Sequence, residues 1–173
     1  MSKRILPRVA LLMSCVVLLV SCVFPQQKHG GLEPGKLAPK LKAEGWLNGD
    51  APIDADLAGK VLVVDAWAYW CGPCMREAPH LVRAYDTYKD RDVVFIGLTS
   101  EGSAELDKSR RFLDNVGITW LNGYGAVETL TEFEAEGIPA VWVIGTDGKV
   151  VWNSDSRGSV EDGIENALAA AHR

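Results

Sequence analysis

From Val61 to Ala66 the chain is apolar and largely β-branched with one exception, the carboxylate of Asp65; after four intervening residues, 67–70, come Cys71 and Cys74, with Gly72 and Pro73 between them. A short continuous apolar run of this kind is the pattern of a strand buried on both faces. Pro73 is tolerated at the first position of a helix, where its missing N–H costs nothing. A doubly covered strand that feeds straight into a helix needs a sheet with helices on both sides, so the chain is confined to α/β folds.

The remaining pattern fits. A helix is predicted from Pro73 to about Lys89, with Met75, Ala78, Val82 and Tyr85 at helical spacing and a kink at Pro79. Val93 to Thr99 is a second buried strand. Ser103 caps a helix running to about Val116, Trp120-Leu121 is a short strand, and Val127 to Glu136 is a helix stopped by Gly137. Ala140–Ile144 and Val150–Asn153 flank Thr146-Asp147-Gly148-Lys149, a strong hairpin turn. Ser159-Val160-Glu161-Asp162 is a capping-box pattern opening a last helix that carries Val160, Ile164 and Leu168 on one face. Upstream, Leu41–Leu47 and the stretch around Ile53 are expected to form an N-terminal β-hairpin about Asn48-Gly49-Asp50. With 173 residues, 47% of them apolar, these elements suit one domain with a mixed central sheet.

The first residues are set apart from that domain. Lys3, Arg4 and Arg8 precede the apolar run Val9 to Val20, the layout of a secretory signal and too short to span a bilayer comfortably, which takes ~20 apolar residues. Leu19-Val20-Ser21-Cys22 resembles the bacterial lipobox, so residues 1–21 are expected to be a lipoprotein signal and Cys22 the lipid-bearing residue. The alternatives are an ordinary cleaved signal or a signal anchor with Cys22 incidental, or lipid on Cys15 after a very short apolar run. Val23 favours outer-membrane sorting where the cell has one. Pro25 to Gly35 is rich in Gly, Gln and Pro, which makes 22–36 a flexible tether and 37–173 the domain. The expected location is extracytoplasmic and membrane-anchored.

Charge and cysteine usage narrow the function. Three of the chain's 18 basic residues lie in the signal, so 15 face 23 acidic residues beyond it, a formal net of −8. That balance disfavours nucleic acid and polybasic membrane binding. Of four cysteines, Cys15 and Cys22 belong to the leader, leaving Cys71 and Cys74. A disulfide closing so small a loop adds little stability, so the pair has another purpose. Dithiol–disulfide exchange needs an attacking thiolate and a second thiol that resolves the mixed disulfide. At i and i+3 on a helix start, Cys71 gains from the helix N-terminus, which depresses its pKa below the ~8.5 of a free thiol, and Cys74, one turn in, is the less exposed resolving thiol.

Val64-Asp65-Ala66-Trp67-Ala68-Tyr69-Trp70-Cys71-Gly72-Pro73-Cys74 resembles the active-site strand and helix start of thioredoxins, and Gly137-Ile138-Pro139-Ala140 resembles their cis-proline loop. From Gly35-Lys36-Leu37-Ala38-Pro39 through Asp147-Gly148-Lys149 the layout is similar to the TlpA/ResA-like family, membrane-tethered thioredoxin relatives with an N-terminal hairpin and a central helical insertion. The resemblance implies a thioredoxin-like fold and a redox-active Cys71–Cys74 disulfide. It makes Asp65 a buried acid that exchanges a proton with Cys74, while Glu77 occupies the family's active-site glutamate position. Ile138-Pro139 is expected to be cis and to offer backbone to an extended client beside the cysteines. Trp70 and Tyr69 give a flat contact surface with Gly72 and Pro73, Trp67 packs beneath, and Trp142 and Trp152 are ordinary aromatics. Gly72-Pro73 and Ile138 resemble reducing thioredoxins, which implies a disulfide reductase of extracytoplasmic proteins re-reduced by an integral-membrane electron donor. Apocytochrome c, in c-type cytochrome maturation, is one candidate client. No cofactor or metal and a monomeric state are expected.

Three rivals are weighed against this. Zinc would need two further ligands, and beyond the leader there are only His29, His80 and His172. A peroxiredoxin expects Thr three residues before its cysteine, where this chain has Ala68. A copper or haem chaperone using both sulfurs would want a placed His or Met, and Met75 is explained by the helix.

Overall fold

A computed structural model describes residues 30–171; the signal, Cys15, Cys22, His29, His172 and residues 22–29 of the expected tether lie outside them. At the centre is β2, Val61–Ala66, which pairs in parallel with β3, Val93–Leu98, and antiparallel with β5, Ala140–Ile144. Beyond β3 lies β4, Leu121–Tyr124, parallel to it, and then β1, Gly45–Leu47, antiparallel to β4; beyond β5 lies β6, Val150–Asn153, antiparallel. The six-stranded sheet thus runs β1-β4-β3-β2-β5-β6.

Alternation along β2 sends its side chains into two cores. Val61 and Val63 join Phe95, Val143 and the inner faces of α2 (Gly72–Tyr88), α3 (Leu106–Val116) and α5 (Val160–Ala171). Val64 and Ala66 join Ile96, Leu98, Phe133 and Trp142 on the other side, covered by the N-terminal segment, by Leu57 of α1 (Asp54–Leu57) and by Leu130 of α4 (Val127–Glu132). The mixed sheet with both faces covered is as expected, and both long strands fall where the apolar runs lie. The Ser159/Asp162 capping box is formed: Ser159 N donates to Asp162 Oδ2 at 2.8 Å and Asp162 N to Ser159 Oγ at 3.3 Å.

Four expectations need correction. No hairpin forms about Asn48-Gly49-Asp50. Instead Asn48 Nδ2 donates to the carbonyls of Ile118 and Trp120 at 3.2 and 3.0 Å, fastening this turn to the approach of β4, which takes β1 as its partner; Ile53 is exposed ahead of α1. Ser103 caps nothing through its side chain, opening a 3₁₀ turn, Ser103–Glu105, before α3 begins at Leu106. The helix at Val127 stops at Glu132, not Glu136, because Phe133 turns inward against Trp142 (ring centroids 4.7 Å apart) and its carbonyl accepts the Leu32 N–H at 2.7 Å.

The fourth concerns the tether. Residues 30–36 are docked: Gly30 N donates to Asp155 Oδ2 (2.9 Å), Asn153 Nδ2 donates to the carbonyls of Gly30 and Leu32, Leu32 is buried, and Gly35 and Lys36 exchange backbone bonds with Val150. The segment runs alongside β6, so the folded body extends back to residue 30 at least. One leucine without periodicity gives sequence reading no handle on it.

Candidate active site

The junction between β2 and α2 forms one corner of the molecule. Ala66, at the C-terminal end of β2, pairs with Ala140 at the start of β5, so the Ile138-Pro139 loop lies beside the turn that leads into α2. The Ile138–Pro139 peptide bond is cis. Cys71 is the N-cap of α2 and is bonded to Cys74, with Cα atoms 5.2 Å apart. Cys74 N donates to Cys71 Sγ at 3.1 Å, so the sulfur at the helix mouth accepts a backbone bond that would favour its charged form. The two cysteines are equally shielded, at 3% and 4% exposure; the expected contrast between an open Cys71 and a covered Cys74 is not present in the disulfide state.

Asp65 is buried and points toward the same corner. Burial pushes its carboxyl up from an ordinary 3.8 to about 7, and the Trp120 indole N–H, donating to Oδ1 at 3.3 Å, only partly offsets this. Asp65, Cys74, Glu77 and Pro139 all line one cavity of about 10 Å³. A space of that size is at the lower limit for a single water. Of the expected site residues these four share the enclosure, while Cys71, Trp70, Gly72, Pro73 and Ile138 do not line it.

The floor is built by a second set of contacts. Trp67 lies beneath, as expected, stacked on Phe112 at 4.8 Å with its Nε1 donating to Asn122 Oδ1 at 2.8 Å. Asn122 in turn donates to the Trp120 carbonyl at 2.7 Å, which links the floor to the residue that bonds Asp65. Gly97 on β3 is where they meet: a Cβ there would sit 1.8 Å from Asn122 Oδ1 and 2.8 Å from Trp67 Nε1.

The outer rim is apolar and open. Trp70 is 62% exposed and held by its indole N–H donating to Glu101 Oε1 at 2.9 Å. Gly72, Pro73 and Met75 are exposed around it, and Tyr69 is half-buried under Lys108. Ile138 is half-buried. On the far wall Glu77 Oε1 lies 3.0 Å from His80 Nδ1, and His80 Nε2 lies 2.9 Å from Glu161 Oε1. Sequence reasoning missed Trp120, Asn122, Glu101, His80 and Glu161. Only the Glu77/His80 pair carried a local signal, the i,i+3 spacing of a helix-surface pair.

Among the described residues no group of three His, Cys, Asp or Glu is placed to hold a metal, and no helix is long and apolar enough to cross a membrane.

A disulfide at the mouth of a helix, following the central strand of a mixed sheet and facing a cis-proline loop, defines this domain as a thioredoxin-like thiol-disulfide oxidoreductase. The chain belongs to the redoxin family, whose model matches residues 33–168. It is 40% identical over 109 residues to Protein DipZ of Mycobacterium bovis, a match covering 53% of this chain and 16% of that much longer protein. It is 29% identical over 122 residues to the thiol-disulfide oxidoreductase ResA of Bacillus anthracis, covering 69% of this chain and 68% of that one. The fold is also that of the thioredoxin domain of a thiol-disulfide oxidoreductase from Bacteroides vulgatus, at TM-score 0.65 and 23% identity over 80% of this chain and 97% of that one.

Proposed function

We propose that the protein is a disulfide reductase of extracytoplasmic proteins, anchored by lipid on Cys22 and recharged by an integral-membrane electron donor. The observation that carries the chemistry is the enclosure shared by Cys74 and Asp65. In the reduced enzyme, the Cys71 thiolate attacks a client disulfide; one client sulfur leaves with the electron pair and takes a proton, and a Cys71–client disulfide forms. Cys74 then attacks Cys71 Sγ, giving up its proton, and the second client sulfur departs with the electron pair. Two electrons have passed to the client; its first sulfur is protonated from solvent, its second takes up the proton that Cys74 gave up, and the Cys71–Cys74 bond has closed.

In this reading Asp65 and Glu77, which line the cavity with Cys74, take its proton. Asp65 is suited because a pKa of about 7 lets it hold or release a proton near neutrality. Trp70, Gly72 and Pro73 form the contact surface, and Ile138 and Pro139 align an extended client segment beside the sulfurs, which suits a reactive site whose partners are other polypeptides. The reducing direction rests on Gly72-Pro73 between the cysteines and on Ile138, as in reducing thioredoxins. The similarity to ResA makes the haem-site thiols of apocytochrome c one client to try.

Redox titration of the mature protein in thiol buffers is the deciding experiment. A reduction potential near −270 mV supports a reductase; one near −120 mV reverses the direction. Insulin reduction by dithiothreitol should be accelerated by the wild type and not by Cys71→Ser. Stoichiometric Cu(I) uptake without turnover would mean a binding module instead.

A further inference from the structure

We infer that His80 is a positioning residue for the exchange reaction: held between Glu77 and Glu161, it fixes the Glu77 carboxylate at the wall of the Cys74 cavity. The inference rests on the reading that Glu77 exchanges protons in that cavity.

Both ring nitrogens of His80 face carboxylate oxygens, at 3.0 Å (Glu77) and 2.9 Å (Glu161). A carboxylate only accepts, and a neutral imidazole has one N–H, so both bonds can be made at once only by the imidazolium. The clamp therefore binds one proton more than a neutral ring would. In keeping with this, the hydrogen bond from Glu77 raises the pKa of His80 above 6.5; partial burial opposes it and the charge of Glu161 adds to it.

Glu77 is the member that touches the reaction. Its side chain is shared by two spaces: the small cavity with Asp65 and Cys74, and an outer groove of about 300 Å³ lined also by His80, Pro139, Trp152, Ser154 and Ser159. Which way its carboxylate faces decides whether it can meet the Cys74 proton. The groups around His80 leave no competitor for that control. On α2 Arg76 and Arg83 stand four residues before and three after it, but the charged groups that act on its ring are Glu77 on α2 and Glu161 on α5. Asp162 is engaged in capping Ser159, and the β5–β6 wall presents Val141, Trp152 and Ser154, none of which titrates there. Asp65 lies beyond Glu77, inside the cavity.

The two carboxylates are not held alike. Burial works to raise the pKa of Glu161, but its backbone N–H, Ser159 and His80 outweigh it and keep the carboxyl below its usual range. Glu161 thus has anchors apart from His80, whereas His80 is the hydrogen-bond partner the structure gives to Glu77. When pH rises through the His80 pKa and one of the two bonds is lost, Glu77 is the carboxylate set free. His80 neither gains nor loses a proton in the exchange itself; the Cys74 proton passes to Glu77, and His80 holds the acceptor in place.

The test follows resolution of a preformed mixed disulfide between Cys71 and thionitrobenzoate in the full mature protein, read as release of the yellow thiolate from pH 5 to 9. The His80 pKa is measured in parallel by NMR, its resonance identified by loss in His80→Gln. The wild-type profile should inflect at that pKa, in addition to any inflection from Asp65. His80→Gln should abolish the His80 inflection and slow resolution about tenfold at low pH, the scale of a displaced catalytic group. Glu161→Gln, which leaves the Glu77 contact intact, should move the NMR pKa and the kinetic inflection down together. If the profiles of both variants superimpose on the wild type while Glu77→Gln still slows resolution, the positioning role is wrong and the reading of Glu77 stands. If Glu77→Gln also has no effect, that reading falls and this inference with it.

Discussion

Replacing Asp65 by Asn should change how stability depends on pH, by an amount the structure sets. The wild-type carboxyl moves from 3.8 in the unfolded chain to about 7 when folded, because burial penalises its charge. Between those values the folded state binds the proton more tightly than the unfolded state, so stability falls as pH rises from about 4 and levels off above about 7. At ~1.4 kcal/mol per pH unit, the term changes by about 3 kcal/mol between pH 4.5 and 8.5. Asn cannot ionise, so this term disappears from the variant. Its amide oxygen still accepts the Trp120 N–H, while its NH₂ group, in a site that offered the carboxyl no acceptor, costs about 1–3 kcal/mol at every pH. Asp65→Asn is therefore expected to be less stable than wild type at pH 4.5 and equal or more stable at pH 8.5. Urea unfolding of the oxidised proteins at both values measures this, since all other titrating groups are common to the pair. A stability difference that is the same at both pH values to within about 1 kcal/mol refutes the assignment of a burial-raised pKa to Asp65.

Gly97→Ala should destabilise the protein by roughly 1–3 kcal/mol through overpacking against Asn122 and Trp67, and should lower thiol-disulfide exchange activity by tilting the floor of the Cys74 cavity; chemical denaturation and insulin turnover check the two effects. Glu101→Gln keeps an acceptor for Trp70 but weakens a charge-assisted bond, so KM for a protein client should rise while the rate with a small disulfide stays unchanged. His80→Gln should lower the melting temperature more at pH 5.5 than at pH 8.5. The raised pKa of His80 makes its contribution complete below about 6.5 and lost as pH climbs through the folded value.

What could be read in the sequence was whatever repeats at short range. The runs 61–66 and 93–98, the CxxC at a helix start, the Asp147-Gly148 hairpin and the Ser159/Asp162 cap each state their structure within a few residues, and each is present. The errors arise where distant partners decide. Leu41–Leu47 looks like half of a hairpin, yet β4, more than seventy residues on, supplies its ladder. Phe133 ends a helix early because Trp142 and Leu32 compete for it. The same holds within the site: Cys71, Cys74 and Asp65 could be named from one motif, whereas Trp120, Asn122 and Glu161 reach it from other elements. His80 illustrates the boundary. Weighed as a metal ligand it has no role, and only the approach of α5 gives it a second carboxylate.

The docked segment before residue 37 bears on where the enzyme can work. Gly30 is fastened to Asn153 and Asp155, and Asn153 stands opposite Trp142 near the beginning of β5, the end of the sheet that carries the disulfide. Under the proposed lipid anchor on Cys22, eight Cα–Cα steps would separate it from Gly30, a leash of at most about 28 Å at full stretch. Because the leash is tied at the catalytic end, the sulfurs would stay within a few nanometres of the lipid headgroups. Such a molecule would patrol a thin layer over the bilayer rather than the whole compartment, meeting a membrane-embedded donor often and favouring clients that are themselves delivered at that surface.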